Sequence, residues 1–218
     1  MEDPYKRAIY LEYFTIGYNV FEAFASMFFG FQAGSIALVG FGLDSVVESL
    51  SGLILLWRLK KHETLTEEEE KRIEQKAVRF VAITFFILGT YVLFESIKKL
   101  LHAEAPEPSL PGIIVAILSL IIMPILARKK YRVGMEIGSK ALVADSKETI
   151  ACALLSVALL LGLGLNYMAG IWWADPIAAL VVVFFLFREG WEGLRGEEEE
   201  GADPPYGDRR KPQESHDQ

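Results

Sequence analysis

Uninterrupted blocks of apolar residues constrain this chain more than any other feature of its sequence. Each block is about 20 residues long, which is the length that an α-helix needs to cross a hydrocarbon layer of roughly 30 Å. The apolar residues are not confined to one stripe, as they would be in a soluble amphipathic helix. Hydrophobic residues make up 52% of the 218 residues. The sequence therefore predicts an all-α integral membrane protein.

Six such blocks follow one another, and each is predicted to form a transmembrane helix. The fourth contains Pro124, which a membrane helix tolerates when neighbouring groups bind the freed carbonyl. The predicted spans are Ile9–Phe29, Gly34–Trp57, Ala77–Ile97, Leu110–Leu126, Ala141–Leu165 and Ile171–Phe187.

Positive charges between the blocks predict the orientation of the chain. They cluster before the first span, between the second and third, and after the sixth, whereas residues 31–33 and 166–170 carry none. A further cluster, between the fourth and fifth spans, consists of Arg128, Lys129, Lys130, Arg132 and Lys140. Because positively charged loops stay in the cytoplasm, both termini are predicted to be cytoplasmic. In a prokaryote the membrane would be the plasma (inner) membrane.

Little of the chain remains for soluble structure. The loop at residues 60–76 is predicted to form a short helix with a capping-box start at Thr66–Glu69. After Leu194 the chain becomes rich in acid, Pro and Gly. Residues 1–194 are therefore predicted to form one six-span transmembrane domain, and residues 195–218 a disordered acidic tail.

Ionisable side chains stand inside two of the predicted spans. Asp44 and Glu48 are four residues apart in the second span, and Glu148 and Cys152 have the same spacing in the fifth. Side chains four residues apart lie on one face of a helix. A charged group near the bilayer centre costs about 2.5–3.5 kcal/mol. Two neighbouring carboxylates also repel each other unless one is protonated or a cation lies between them. Both pairs are therefore candidates for a cation site.

The predicted depths of the two pairs agree. The midpoint of Asp44 and Glu48 lies about 12 residues, or roughly 18 Å, from the outer start of its span. The midpoint of Glu148 and Cys152 lies about 15 residues, or roughly 22 Å, from the outer end of its own span. Facing each other, the helices would offer three carboxylates and one thiol, enough for a four-coordinate ion. The alternative is four separate polar groups satisfied by other helices, with Cys152 acting as a small apolar residue.

Other polar residues in the spans have different predicted roles. Asn19 and Glu22 are three residues apart in the first span and could line a cavity or act in proton transfer. Glu12 stands near a span end, where a side chain is hydrated or paired. Asp175 and Pro176 fit the N-cap and the first position of the sixth helix.

Three of the spans carry longer motifs. The second reads GSIALVGFGLDSVVES, the fifth reads GSKALVADSKETIACALLSVALLLGLG, and the sixth begins with a WADP turn. Together they resemble the cation diffusion facilitator family over about Ile9–Leu194. That family has a GSxAL start before an Asp-x-x-x-Asp pair in its second span. Its fifth span has an Ala-Asp step before a His-x-x-x-Asp or Asp-x-x-x-Asp pair.

The resemblance implies a ligand set by position. Asp44 and Glu48 stand at the two second-span ligand positions, and Glu148 and Cys152 stand at the two fifth-span positions. Glu replaces the second Asp of the family's second span, and Glu and Cys replace the usual fifth-span residues. The family's cytoplasmic ferredoxin-like domain, which commonly supports dimerisation, is not predicted in this chain.

The resemblance also implies a function, the export of a divalent metal from the cytoplasm, usually in exchange for protons. Carboxylates and a thiol must lose protons to bind a cation, so metal and protons compete for one site. The thiol of Cys152 favours zinc, with cadmium, cobalt, iron and manganese as further candidates. The metal and the protons would be substrates, and no tightly bound cofactor is expected. The bilayer is the surrounding partner, and a homodimer is compatible with the resemblance.

The sequence gives less support to other classes of function. A non-transporting scaffold or regulatory subunit that reuses the fold is the alternative suggested by the altered ligand set. No enzyme is predicted, because no nucleophile–base pair, HExxH motif or Gly-rich phosphate loop occurs. No nucleic-acid partner is predicted, because the chain has no basic face.

Overall fold

A computed structural model of the chain describes residues 3–61, 67–104 and 106–202. Within these ranges the backbone forms six α-helices and no β-strand. The helices are α1 Pro4–Ala33, α2 Ile36–Lys61, α3 Glu67–His102, α4 Leu110–Ile137, α5 Lys140–Ala169 and α6 Ala174–Ala202. Even the shortest, α2, has 26 residues, so each exceeds the roughly 30 Å of a hydrocarbon core at about 1.5 Å per residue. The predicted six-helix membrane fold is confirmed.

The helices differ in how apolar they are. Segments of α2, α4 and α5 reach mean hydropathies of 1.6, 2.6 and 2.1, which suits a membrane span by length and composition. The described residues of α1, α3 and α6 contain no segment that is both as apolar and as poor in charged residues. In α1 the cause is visible, because Glu12, Asn19 and Glu22 interrupt its apolar sequence.

The helix α2 lies at the centre of the bundle. It packs against α1, α3, α5 and α6, while α4 packs mainly on α5 and α3 mainly on α6. Leu38, Phe41 and Val47 of α2 are fully buried against apolar residues of α5 and α6. Gly42 allows α1 to approach closely, because a Cβ atom at that position would lie 2.8 Å from Met27 Cγ. The polar side chains of α2 are therefore enclosed by other helices.

Two motifs that carry the family resemblance meet where α2 and α6 begin. Asp175 Oδ1 accepts a hydrogen bond from the Ser35 hydroxyl, and its Oδ2 accepts one from the Ile36 backbone N–H over 3.0 Å. The prediction that Asp175 is the N-cap of its own helix is therefore wrong. Because α6 already begins at Ala174, Asp175 lies inside its first turn and caps α2 instead.

The helices extend beyond the predicted spans at the end of the bundle where α1 begins and α6 ends. The helix α4 continues past Leu126 to Ile137, so Lys130 belongs to a helix and not, as predicted, to a loop. The basic residues that follow the apolar block have high helix propensity, and nothing in the sequence stops the helix before Gly138.

The helices α3 and α6 also extend beyond their predicted spans. The helix α3 begins at Glu67, so the predicted short loop helix is the first part of α3 and not a separate element. The proposed cap at Thr66 lies outside the described residues. The helix α6 continues past Leu194 to Ala202, into the predicted tail, and residues 203–218 lie outside the described residues.

Candidate metal site

Polar side chains of α2 and α5 lie at the same level of the bundle. The Thr149 hydroxyl donates a hydrogen bond to Glu48 Oε1 over 3.0 Å, and the Ser51 hydroxyl donates one to Glu148 Oε2 over 3.2 Å. Glu48 thus lies opposite Thr149, and Ser51 lies opposite Glu148, as expected for two antiparallel helices that pack side by side. The predicted agreement in depth between the two helices is confirmed by these hydrogen bonds.

The four predicted ligands are enclosed to different degrees. Asp44, Glu48 and Cys152 are 8%, 6% and 2% exposed, whereas Glu148 is half-buried. The Cys152 thiol is close enough to Asp44 and Glu48 to interact with both carboxylates. Glu148 lies about one helical turn from Cys152, toward the start of α5, and is beside Ser51.

These ligands do not converge on one point in this conformation. Across the part of the chain that the structure describes, no three Asp, Glu, His or Cys side chains are spaced to hold a single metal ion. The structure places the predicted residues on facing helices at one depth, but a shared ion would require their side chains to move together.

The first helix adds a carboxylate to this region. Glu22 is fully buried, and its Oε2 accepts a hydrogen bond from the Ser45 hydroxyl over 2.9 Å. The Cys152 thiol donates to the same oxygen over 3.9 Å. Asn19, one turn earlier on α1, is also fully buried and lies beside Glu48. The spacing of Asn19 and Glu22 predicted a polar face on α1, but not that this face meets Cys152.

A buried ion triad lies between this region and the end of the bundle where α1 begins. Lys130 of α4 forms ion pairs with Glu12 of α1, over 3.2 Å to Oε1, and with Asp145 of α5. Lys130 and Glu12 are 0% exposed and Asp145 is 5% exposed. The triad was not predicted, because Lys130 was expected between the fourth and fifth spans, although Glu12 was expected to be hydrated or paired.

Buried charges in the bundle are unbalanced. Among the described residues, six carboxylates are buried, those of Glu12, Glu22, Asp44, Glu48, Asp145 and Asp175, and Lys130 is the one buried base. In surroundings of low polarity, unpaired charges of one sign are costly. Such a core needs protons or an added cation to balance it.

Comparisons with known proteins agree on the class of domain. The family described as the cation efflux transmembrane domain matches residues 13–196. An uncharacterized transporter of Methanocaldococcus jannaschii is 24% identical over 178 residues, which cover 80% of this chain and 62% of that protein. Transmembrane protein 163 of Xenopus laevis is 23% identical over 186 residues, which cover 85% of this chain and 65% of that protein.

A third relative carries a more specific description. A cadmium, cobalt and zinc/H(+)-K(+) antiporter of Bacillus velezensis is 24% identical over 192 residues, which cover 85% of this chain and 59% of that protein. The chain thus spans less than two thirds of the length of these three relatives. The family match covers all six helices, including the facing carboxylates of α2 and α5. This chain is therefore an integral membrane protein that belongs to the cation efflux family.

Proposed function

We propose that this protein exports a divalent metal cation from the cytoplasm through a site between α2 and α5. The proposal rests on two hydrogen bonds at one level of the bundle. Glu48 of α2 accepts one from Thr149 of α5, and Glu148 of α5 accepts one from Ser51 of α2. Carboxylates enclosed at one depth of a membrane bundle are typical of an ion path. The excess of buried acid over buried base at this depth favours a cation as the substrate.

The ligands in this proposal are Asp44, Glu48, Glu148 and Cys152. Glu side chains have three rotatable bonds, so a cation that enters between α2 and α5 can draw Glu48 and Glu148 away from their hydroxyl partners. The Cys152 thiolate favours zinc over magnesium or calcium. The name of the Bacillus velezensis relative supports zinc, cadmium and cobalt as the ions to test first. No further cofactor is part of the proposal.

Proton exchange follows from the chemistry of these ligands. Each carboxyl group and the thiol must release its proton before it binds a cation. A site that opens alternately to the two sides would bind metal at the cytoplasmic face and release it as protons return from the other side. Metal and protons would therefore move in opposite directions.

Transport by purified protein in liposomes tests this proposal. Zinc uptake is followed with an internal metal indicator, and a pH-sensitive dye reports the opposing proton flux. We expect Asp44→Ala and Glu148→Ala to abolish both fluxes, because each removes a charged ligand. The matched control is Glu95→Gln, since Glu95 is a carboxylate near the end of α3 that pairs with Lys98 over 3.3 Å. Unchanged transport in both alanine variants would exclude the proposed site.

The role of Cys152 is tested by the choice among metals. We expect Cys152→Ser to lower zinc and cadmium transport more than manganese transport, because a hydroxyl lacks the affinity of a thiolate for softer ions. An unchanged order of preference would show that Cys152 only packs in the core. No transport of any tested cation by the unaltered protein would favour the scaffold or regulatory subunit instead.

A further inference from the structure

The first helix presents two buried polar side chains toward the candidate site. Asn19 and Glu22 are three residues apart on α1, so they lie on one helix face. Both are 0% exposed. Glu22 Oε2 lies 3.9 Å from Cys152 Sγ, and Asn19 lies beside Glu48. The face of α1 that they define therefore contacts α2 through Ser45 and approaches α5 at Cys152.

Several polar atoms on this face lack a hydrogen-bond partner. They are Glu22 Oε1, Asn19 Oδ1 and Asn19 Nδ2. Glu48 Oε2, on the opposite helix, also has no hydrogen-bond partner. Folded proteins rarely leave buried polar atoms unpaired, because each one loses its interactions with water. Three of these four atoms are oxygens that lie near a thiol, and carboxylate and amide oxygens are ligands for divalent cations.

We propose that Glu22 and Asn19 supply oxygen ligands to the transported cation, so that the site belongs to three helices, α1, α2 and α5. This inference rests on the proposed function and changes its chemistry. With Glu22 and Asn19 included, the side chains that offer oxygen rise from three to five, against the single sulfur of Cys152. Carboxylate and amide oxygens suit manganese, whereas thiolate suits cadmium and zinc. Glu22 would therefore determine how well the site accepts harder divalent cations.

The alternative is that Glu22 has a purely structural role. The hydrogen bond from Ser45 to Glu22 Oε2 joins α2 to α1, and it could be the reason for the buried carboxylate. That role is retained in Glu22→Gln, because the amide oxygen still accepts from Ser45. It offers no explanation for the unpaired Glu22 Oε1 or for the unpaired Asn19 side chain.

Binding of cadmium and manganese to the purified full chain in detergent distinguishes a ligand role of Glu22 from a structural one. The chain contains one cysteine, so the ultraviolet charge-transfer band of a cadmium thiolate reports binding at Cys152. Manganese affinity is measured by its displacement of that band. We expect Glu22→Gln to weaken manganese binding by about tenfold or more, as the loss of one charged ligand predicts. Cadmium binding should fall less, since the thiolate carries more of it.

Further variants complete the test. Asn19→Ala should also weaken manganese binding, whereas Glu95→Gln should leave both affinities unchanged, and thermal unfolding confirms that each variant is folded. If Glu22→Gln and Asn19→Ala bind both metals as the unaltered protein does, while Asp44→Asn abolishes binding, the inference about α1 is wrong and the α2–α5 site stands. If the unaltered protein binds neither metal, the proposed function fails as well.

Discussion

The environment of Glu48 shows how single side chains hold the candidate site in its present arrangement. Glu48 Oε1 accepts the hydrogen bond from Thr149, while Oε2 has no hydrogen-bond partner. One carboxylate oxygen is thus tied to α5, and the other is available to a ligand. Because the partner of Glu48 is a neutral hydroxyl, a cation can displace it from the carboxylate.

Replacing Thr149 tests how much its hydrogen bond to Glu48 contributes to stability. Thr149→Val keeps the shape of the side chain but removes the donor, so both oxygens of Glu48 are left without a partner. We expect the free energy of unfolding to fall by about 1–3 kcal/mol, measured by thermal unfolding of the purified protein. Thr149→Ser retains the hydroxyl and should lose less. Equal unfolding temperatures for Thr149→Val and the unaltered protein would contradict this role.

Among the helices, the ion triad joins three elements that are distant in the sequence. Lys130 of α4 contacts Glu12 of α1 and Asp145 of α5, all buried. Gly52 of α2 adjoins the triad, because a Cβ atom there would lie 3.4 Å from Glu12 Oε2. An ammonium group enclosed by two carboxylates joins the C-terminal part of α4 to the N-terminal parts of α1 and α5.

Removing the cation of this triad should destabilise the bundle. Lys130→Met leaves Glu12 and Asp145 buried without a counter-charge, which is expected to cost about 3–5 kcal/mol. Thermal unfolding measures the effect, and Lys129→Met, at the exposed neighbouring position, is the matched control.

The triple variant Glu12→Gln, Lys130→Met and Asp145→Asn removes all three charges. It should recover much of the lost stability, because the triad no longer contains an uncompensated buried charge. A Lys130→Met protein as stable as Lys129→Met would show that the triad contributes nothing to stability.

The helices also show why part of the site could not be predicted. Hydropathy identified the apolar core of α4 but not its basic extension, because lysine and arginine are compatible with both a loop and a helix. Lys130 was therefore assigned to the loop, and its contact with Glu12 was missed. Similarly, the Asp175 carboxylate was assigned to its own helix, because a single sequence does not show that Ser35 is its neighbour in space.

In the whole molecule, six successive helices place both ends of the helical region on the same side of the membrane. The distribution of positive charge predicts that this side is the cytoplasm. The residues Met135, at the end of α4, and Met168, at the end of α5, are 61% and 88% exposed. They lie at opposite ends of the bundle and form a matched pair for labelling.

Single cysteines at these two positions, in a Cys152→Ser background, test the orientation. In intact cells, an impermeant maleimide should label Met168→Cys, while Met135→Cys should react only after the membrane is opened. Labelling of Met135→Cys alone in intact cells would reverse the predicted orientation.

The fold and the site differ in how far the sequence determines them. Apolar blocks of membrane length predicted all six helices, because the hydrocarbon core imposes a length that few other structures require. The i, i+4 pairs predicted that α2 and α5 face each other at one depth, and the hydrogen bond between Thr149 and Glu48 agrees. The part played by α1 needed coordinates, because its rotation about its own axis decides whether Glu22 points at Cys152 or away from it.

If a divalent cation binds among these buried groups, it should protect Cys152 from chemical modification. Cys152 is the single cysteine of the chain, so a small maleimide has no other thiol to label, and the alternate opening proposed for transport would give the reagent access to this buried side chain. We expect zinc to slow this reaction strongly, magnesium to leave it unchanged, and Asp44→Asn to abolish the protection by zinc. Alkylation at the same rate with and without zinc would contradict the account.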